Sequence, residues 1–142
     1  MTAGEDGGMA SVFAAIQKQD WSTARTSCER LLSWKPDTPE ALHALSVICW
    51  SEGQPEAALR HLQNALTSRS HPTWYNNLGV LYSQLHRWDD AAGAFRRALE
   101  LEPEDEDALF HLGLALCETG ELAASIDIFS KIVAKRPAKA EA

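Results

Sequence analysis

Five histidines and three cysteines are the side chains of this 142-residue chain best suited to chemistry, and their spacing assembles no site. His43 and Cys49 are six residues apart, as are His111 and Cys117, which puts each pair on different faces of a helix. The C-x2-C and H-E-x2-H spacings that hold zinc are absent, so no metal site is expected. Gly53, Gly79, Gly113 and Gly120 fall where turns or helix crossings want small residues, not in a phosphate-cradling loop. Nothing points to a nucleophile, histidine and acid brought together. The expectation is a chain with no catalytic residues, no metal and no cofactor.

The elements that position these residues recur at a fixed period. Leu78-Gly79 returns as Leu112-Gly113, Phe95 as Phe129 and Pro103 as Pro137, each 34 positions later. Leu45 leads to Leu78, and Leu62 to Phe95, 33 positions later. Trp21, Ala24 and Pro36 precede Trp88, Ala91 and Pro103 by 67. A period in this range marks stacked helical repeats. In the clearest unit Tyr75, Leu78, Gly79 and Tyr82 share one helical face, and Ala91, Ala94, Phe95 and Ala98 share another. The segment Leu85-His86-Arg87-Trp88 between them leaves room only for a tight turn, so the two helices pair antiparallel. Gly79 and Ala91 are small where the helices would cross, and Pro103 stops the second helix.

These residues resemble the tetratricopeptide repeat (TPR) family, whose pattern is a large residue, Leu-Gly, Tyr, then Ala, a bulky apolar residue, Ala and Pro. The repeat from Glu106 matches through Leu109, Leu112, Gly113, Leu116, Gly120, Ser125, Phe129, Ile132 and Pro137. The repeat from Pro39 is looser, with Leu42, Leu45, Ser46, Cys49, Gly53, Ala58, Leu62 and Ala65, and Ser70 in place of the closing proline. An earlier unit keeps Trp21, Ala24, Cys28, Leu31 and Pro36 but lacks the Leu-Gly pair, as a capping repeat does. The resemblance implies an all-α fold, an α-solenoid of about four helix-turn-helix units wound as a right-handed superhelix. Residues 1–9 are expected as a flexible tail and 10–142 as a single array, with repeats at about 5–38, 39–71, 72–105 and 106–139. Helices are expected near 10–18, 21–34, 39–52, 55–69, 72–85, 88–101, 106–119 and 122–135.

Charge narrows the partners. Thirteen Lys and Arg against twenty Asp and Glu give a net charge of −7. That argues against nucleic acid, because phosphate contacts need clustered cations. The run Glu102–Asp107 reads as a solvated junction with carboxylates at a helix N-terminus. No stretch approaches 18 apolar residues, and the acidic, glycine-rich start lacks the pattern of a secretory signal. Three free cysteines, expected to be buried thiols, fit a reducing cytoplasm.

In the TPR family the first helix of each repeat lines a concave groove that commonly takes an extended peptide. The resemblance carries that lining onto Phe13, His43, Val47, Trp50, Asn76, Asn77, Val80, Phe110, His111 and Leu114. An apolar stripe emerges at Phe13, Val47, Val80 and Leu114. The Asn77 amide can both donate to and accept from a peptide backbone. Trp50 and Phe110 lie on a face the repeat does not need for its own core. The matching places of the family's carboxylate-clamping members hold His43, Val47, Asn77, Asp107 and His111, and only the asparagine agrees. Glu40, Asp107 and Glu118, with no Lys or Arg in the groove, favour apolar or basic segments.

Three functions compete: a non-catalytic scaffold binding an extended segment, a recruitment arm of a larger enzyme such as a TPR-fused glycosyltransferase, and a small TPR chaperone of a bacterial secretion system. The last helix carries Ile126, Ile128, Phe129, Ile132 and Val133, more than one packing seam requires, so self-association through it is expected.

Overall fold

The computed structural model describes residues 2–135, with side chains from residue 8 onward. Eight α-helices follow in chain order: α1 Thr2–Gln17, α2 Trp21–Trp34, α3 Pro39–Ser51, α4 Pro55–Ser68, α5 Pro72–Gln84, α6 Trp88–Leu101, α7 Glu106–Thr119 and α8 Leu122–Ala134. There is no strand among the described residues. The ends of α2 to α8 fall within one residue of the expected ones. Sequence signals account for this. Pro39, Pro55 and Pro72 each open a helix, where the missing N–H is no loss. Asp20 accepts a hydrogen bond from the Thr23 N–H at 3.2 Å, and Asp105 from those of Asp107 and Ala108, which caps α2 and α7.

α1 departs from the expectation. It begins at Thr2, so residues expected as a flexible tail are helical. Its inward face reaches further back than the repeat signature does. Met9 packs with Ile16 against the buried cluster, and Gly8 lies against Leu31. The closing Pro137 lies outside the described residues.

The helices cluster into two compact units, Met1–Ser70 and His71–Ala142. In the first, α1 pairs with α2, α3 with α4, and α3 also lies against α2 and α1. One buried cluster joins Val12, Ala15, Ala24, Cys28, Ala44, Leu45 and Ile48, and α4 adds the buried Ala58, Leu59, Leu62 and Ala65. In the second, α5 pairs with α6, α7 with α8, and α7 packs on α6 and touches α5. Phe95 is 1 % exposed and is the largest fully buried side chain.

Two features fix the hairpins. Gly79 sits against the Phe95 ring, and Gly113 against that of Phe129, so a side chain at either crossing would strike a ring. Each turn then passes through one left-handed residue: Gln19, Gly53, His86 or Gly120, with φ of 57°, 74°, 58° and 87°. Glycine carries that conformation without strain. Gln19 and His86 hold it because the hairpin on either side demands it, a position composition does not reveal.

Candidate binding faces

In the first unit, Phe13 projects from α1 and is about half exposed, while His43, Val47 and Trp50 follow one stripe of α3 and are half-buried. α1 and α3 are in contact, so these residues belong to neighbouring helices of one unit. The charge around them differs from the expectation. Glu40, read as an uncompensated groove carboxylate, is ion-paired with Arg69 at the end of α4. Arg25 of α2 pairs with Glu52 just beyond α3 and comes within 3.8 Å of the Cys49 Sγ. The Glu52 hydrogen bond holds the Arg25 guanidinium above its ordinary range. Neither partnership is visible in sequence, because each joins residues 27 or more positions apart.

In the second unit, Asn76, Asn77 and Val80 lie half-buried on α5. Phe110 and Leu114 are exposed on α7, at 49 % and 43 %, with His111 half-buried between them. Packing sets two of these rings. The His111 imidazole stacks on Phe95 with centroids 5.3 Å apart, and Phe110 stands edge-on to Phe129 at 5.9 Å. Neither is an idle surface side chain. Asn76 Oδ1 and His111 Nδ1 are both buried without a hydrogen-bond partner. An unmade bond of this kind costs about 1–3 kcal/mol. Leu114 extends the apolar surface one turn beyond Phe110.

Glu118, another expected groove residue, lines a cleft of about 330 Å³ with His86, Trp88 and Asp89 at the α5–α6 turn. Arg97 on α6 lies over the Tyr75 ring at 5.3 Å. Among the thiols Cys28 and Cys49 are buried, but Cys117, expected buried, is exposed. Its helix position turns it toward Ser125, whose Oγ lies 2.9 Å from the Cys117 Sγ and donates to the Gly113 carbonyl.

α8 presents an apolar face. Leu122, Ile126 and Val133 are 58 %, 65 % and 66 % exposed, and Ile126, Phe129, Ser130, Val133 and Ala134 border a shallow hollow. Among the described residues no group of three or more His, Cys, Asp or Glu is placed to hold a metal ion, and no helix is long and apolar enough to cross a membrane.

Known proteins share this architecture. Residues 76–140 match the family model described as tetratricopeptide repeat, and residues 17–98 match that of anaphase-promoting complex, cyclosome, subunit 3. Bacteriophage adsorption protein A of Escherichia coli is 36 % identical over 84 residues, which is 59 % of this chain and 8 % of that protein. A TPR repeat-containing protein of Methanocaldococcus jannaschii is 26 % identical over 54 % of this chain and 13 % of its own length. The chain thus spans only about a tenth of the curated relatives it matches. Among solved structures, MamA superposes with a TM-score of 0.87 at 20 % identity, covering 96 % of this chain and 81 % of that one. A tetratricopeptide repeat protein from Parabacteroides merdae gives 0.86 at 21 % identity, covering 95 % of this chain and 54 % of that one. An O-GlcNAc transferase mutant from Thermobaculum terrenum gives 0.73 at 25 % identity, covering 81 % of this chain and 22 % of that one. With paired helices, glycines seated on aromatic rings and these matches along most of its length, the chain belongs to the tetratricopeptide repeat family.

Proposed function

We propose that this chain is a non-catalytic scaffold that holds an extended peptide or partner segment along the first helices of its repeats. The carrying observation is on α5 and α7. There the apolar pair Phe110 and Leu114 stands exposed on α7, and the amides Asn76 and Asn77 lie half-buried on α5. A peptide backbone supplies both donors and acceptors, and an apolar side chain of the segment covers the exposed pair. Asp107 and Glu118 on the same helix, and the net charge of −7, favour apolar or basic segments over acidic ones. Phe13, His43, Val47 and Trp50 form the corresponding face of the first unit. We place the protein in the cytoplasm, and include in this reading self-association through the exposed face of α8.

A selection from a random-peptide library on the 142-residue chain tests the groove. Enriched peptides are expected to be apolar or basic. Asn77→Ala and Leu114→Asp each weaken them by about 1–3 kcal/mol, the range of an anchoring contact. Arg60→Ala and Arg96→Ala, on exposed positions of the second helices, leave binding unchanged. If the groove variants bind normally while the outer variants lose the peptides, the reading is wrong. One observation favours a second reading, a recruitment arm of a larger enzyme. The likeness to the Thermobaculum terrenum transferase covers most of this chain and a small part of that one.

A further inference from the structure

Within each unit, a second helix receives the next first helix through the same three positions. In α3 these are Ala41, Ala44 and Ile48, which are 0 %, 2 % and 0 % exposed, and α3 packs on α2. In α7 they are Ala108, His111 and Ala115. Ala108 and Ala115 are 0 % and 1 % exposed, and His111 rests on Phe95 of α6. Carried back by the repeat period, the second and third of these positions fall on Ala10 and Ala14 of α1, and there both are exposed. α1 therefore keeps open the face that α3 and α7 bury.

In the second unit the receiving side is covered on α6 and open on α8. On α6 it consists of Ala92, Phe95 and Leu99, the first two 2 % and 1 % exposed beneath α7. One period later these become Ile126, Phe129 and Val133 of α8, with Ile126 and Val133 about two-thirds exposed.

We propose that the Ile126–Phe129–Val133 face of α8 receives the Ala10–Ala14 face of α1 from a second copy of this chain, joining copies head to tail. The proposal rests on the self-association reading above and names the surface that α8 meets. Volume supports the match. Inside the second unit α6 offers the small, buried Ala92 beside Phe95, and the incoming helix brings the bulky His111 onto Phe95. At the proposed contact the bulk changes sides, with Ile126 on α8 and Ala10 on the incoming helix. The contact continues an interface already built in each unit, and large side chains meet small ones as close packing requires. Because the two faces are different, joining uses one face of each copy and leaves the other free. The association is heterologous and adds further copies.

Sedimentation of the 142-residue chain over a range of concentrations tests this. The wild type is expected to grow past a dimer as concentration rises. Ile126→Asp and Ala14→Arg should each stay monomeric at every concentration. Mixed, they should form a 1:1 dimer and stop there, because one variant keeps its α1 face and the other its α8 face. Circular dichroism establishes that each variant keeps its helices, with Val133→Glu and Ala10→Arg replacing any that does not. If Ala14→Arg associates like the wild type while Ile126→Asp is monomeric, α8 meets something other than α1. The head-to-tail contact then fails and self-association through α8 stands. If the wild type is monomeric throughout, or Ile126→Asp associates normally, both fail.

Discussion

Replacing Gly79 by alanine sets two opposing effects against each other. In an exposed helix the change stabilises by about 1 kcal/mol, because alanine loses less backbone freedom. Here a Cβ would lie 2.6 Å from Phe95 Cδ1 and Cζ, and closer still to Cε1. An ordinary carbon–carbon contact is about 3.5 Å, so ring or helix must move by about 1 Å. Phe95 is 1 % exposed and has no solvent side to turn into. Overpacking of this kind costs about 1–3 kcal/mol, and the depth of this overlap puts it at the upper end. The net loss is then about 2 kcal/mol, a fall in melting temperature of about 10 °C for a unit of this size. Two controls separate the terms. At Gly113 the added Cβ would stand 2.7 Å from two carbons of Phe129, but that ring is half-buried and can swing outward, so Gly113→Ala should cost less. At Gly93 nothing lies within 4 Å, and Gly93→Ala should stabilise by about 1 kcal/mol. Thermal and urea denaturation followed by circular dichroism should rank Gly93→Ala above wild type, and Gly79→Ala below Gly113→Ala. In a Phe95→Leu background Gly79→Ala should cost less, since the ring edge it strikes is gone. A Gly79→Ala protein as stable as wild type would refute the reasoning.

The thiols should react in two classes. Burial pushes the Cys28 thiol up to about 11 and Cys49 is equally enclosed, so a colorimetric thiol reagent at pH 8 should titrate one fast group, Cys117, and all three only in denaturant. Two fast groups in the native protein, or a fast group surviving Cys117→Ser, would contradict this. The Asp20 cap should make stability acid-sensitive. The hydrogen bonds from Thr23 hold its carboxyl below the usual value of 3.8, so the folded state binds this proton less readily than the unfolded chain. Its contribution is complete above about pH 4 and is lost as pH falls through the lower folded value. Asp20→Asn keeps a capping side chain that does not titrate, and its melting temperature should fall less steeply below about pH 4. Parallel slopes for the two proteins would show that the cap is not the source.

The period by itself determined the helix hairpins. A residue such as Leu78, returning as Leu112 with glycine beside it, fixes which face of a helix is buried and where its partner crosses, because helical periodicity is local. The same locality explains why Pro39, Pro55 and Pro72 mark helix starts so closely. What it did not determine are relations between residues far apart in the chain. Glu40 could not be known to meet Arg69, nor Arg97 to lie over Tyr75. Nor could His86 be seen to take the left-handed turn that glycine takes in the next repeat. The helical start of α1 escaped for the same reason: glycines at positions 4, 7 and 8 weaken the local signal, while Met9 gains its partners from the folded core. The candidate groove was legible as a set of positions, since a repeat assigns each a direction. Whether a side chain there stands free was decided only by the next helix. Against the rings of Phe95 and Phe129, His111 and Phe110 became part of the packing, while Leu114 kept much of its surface in solvent.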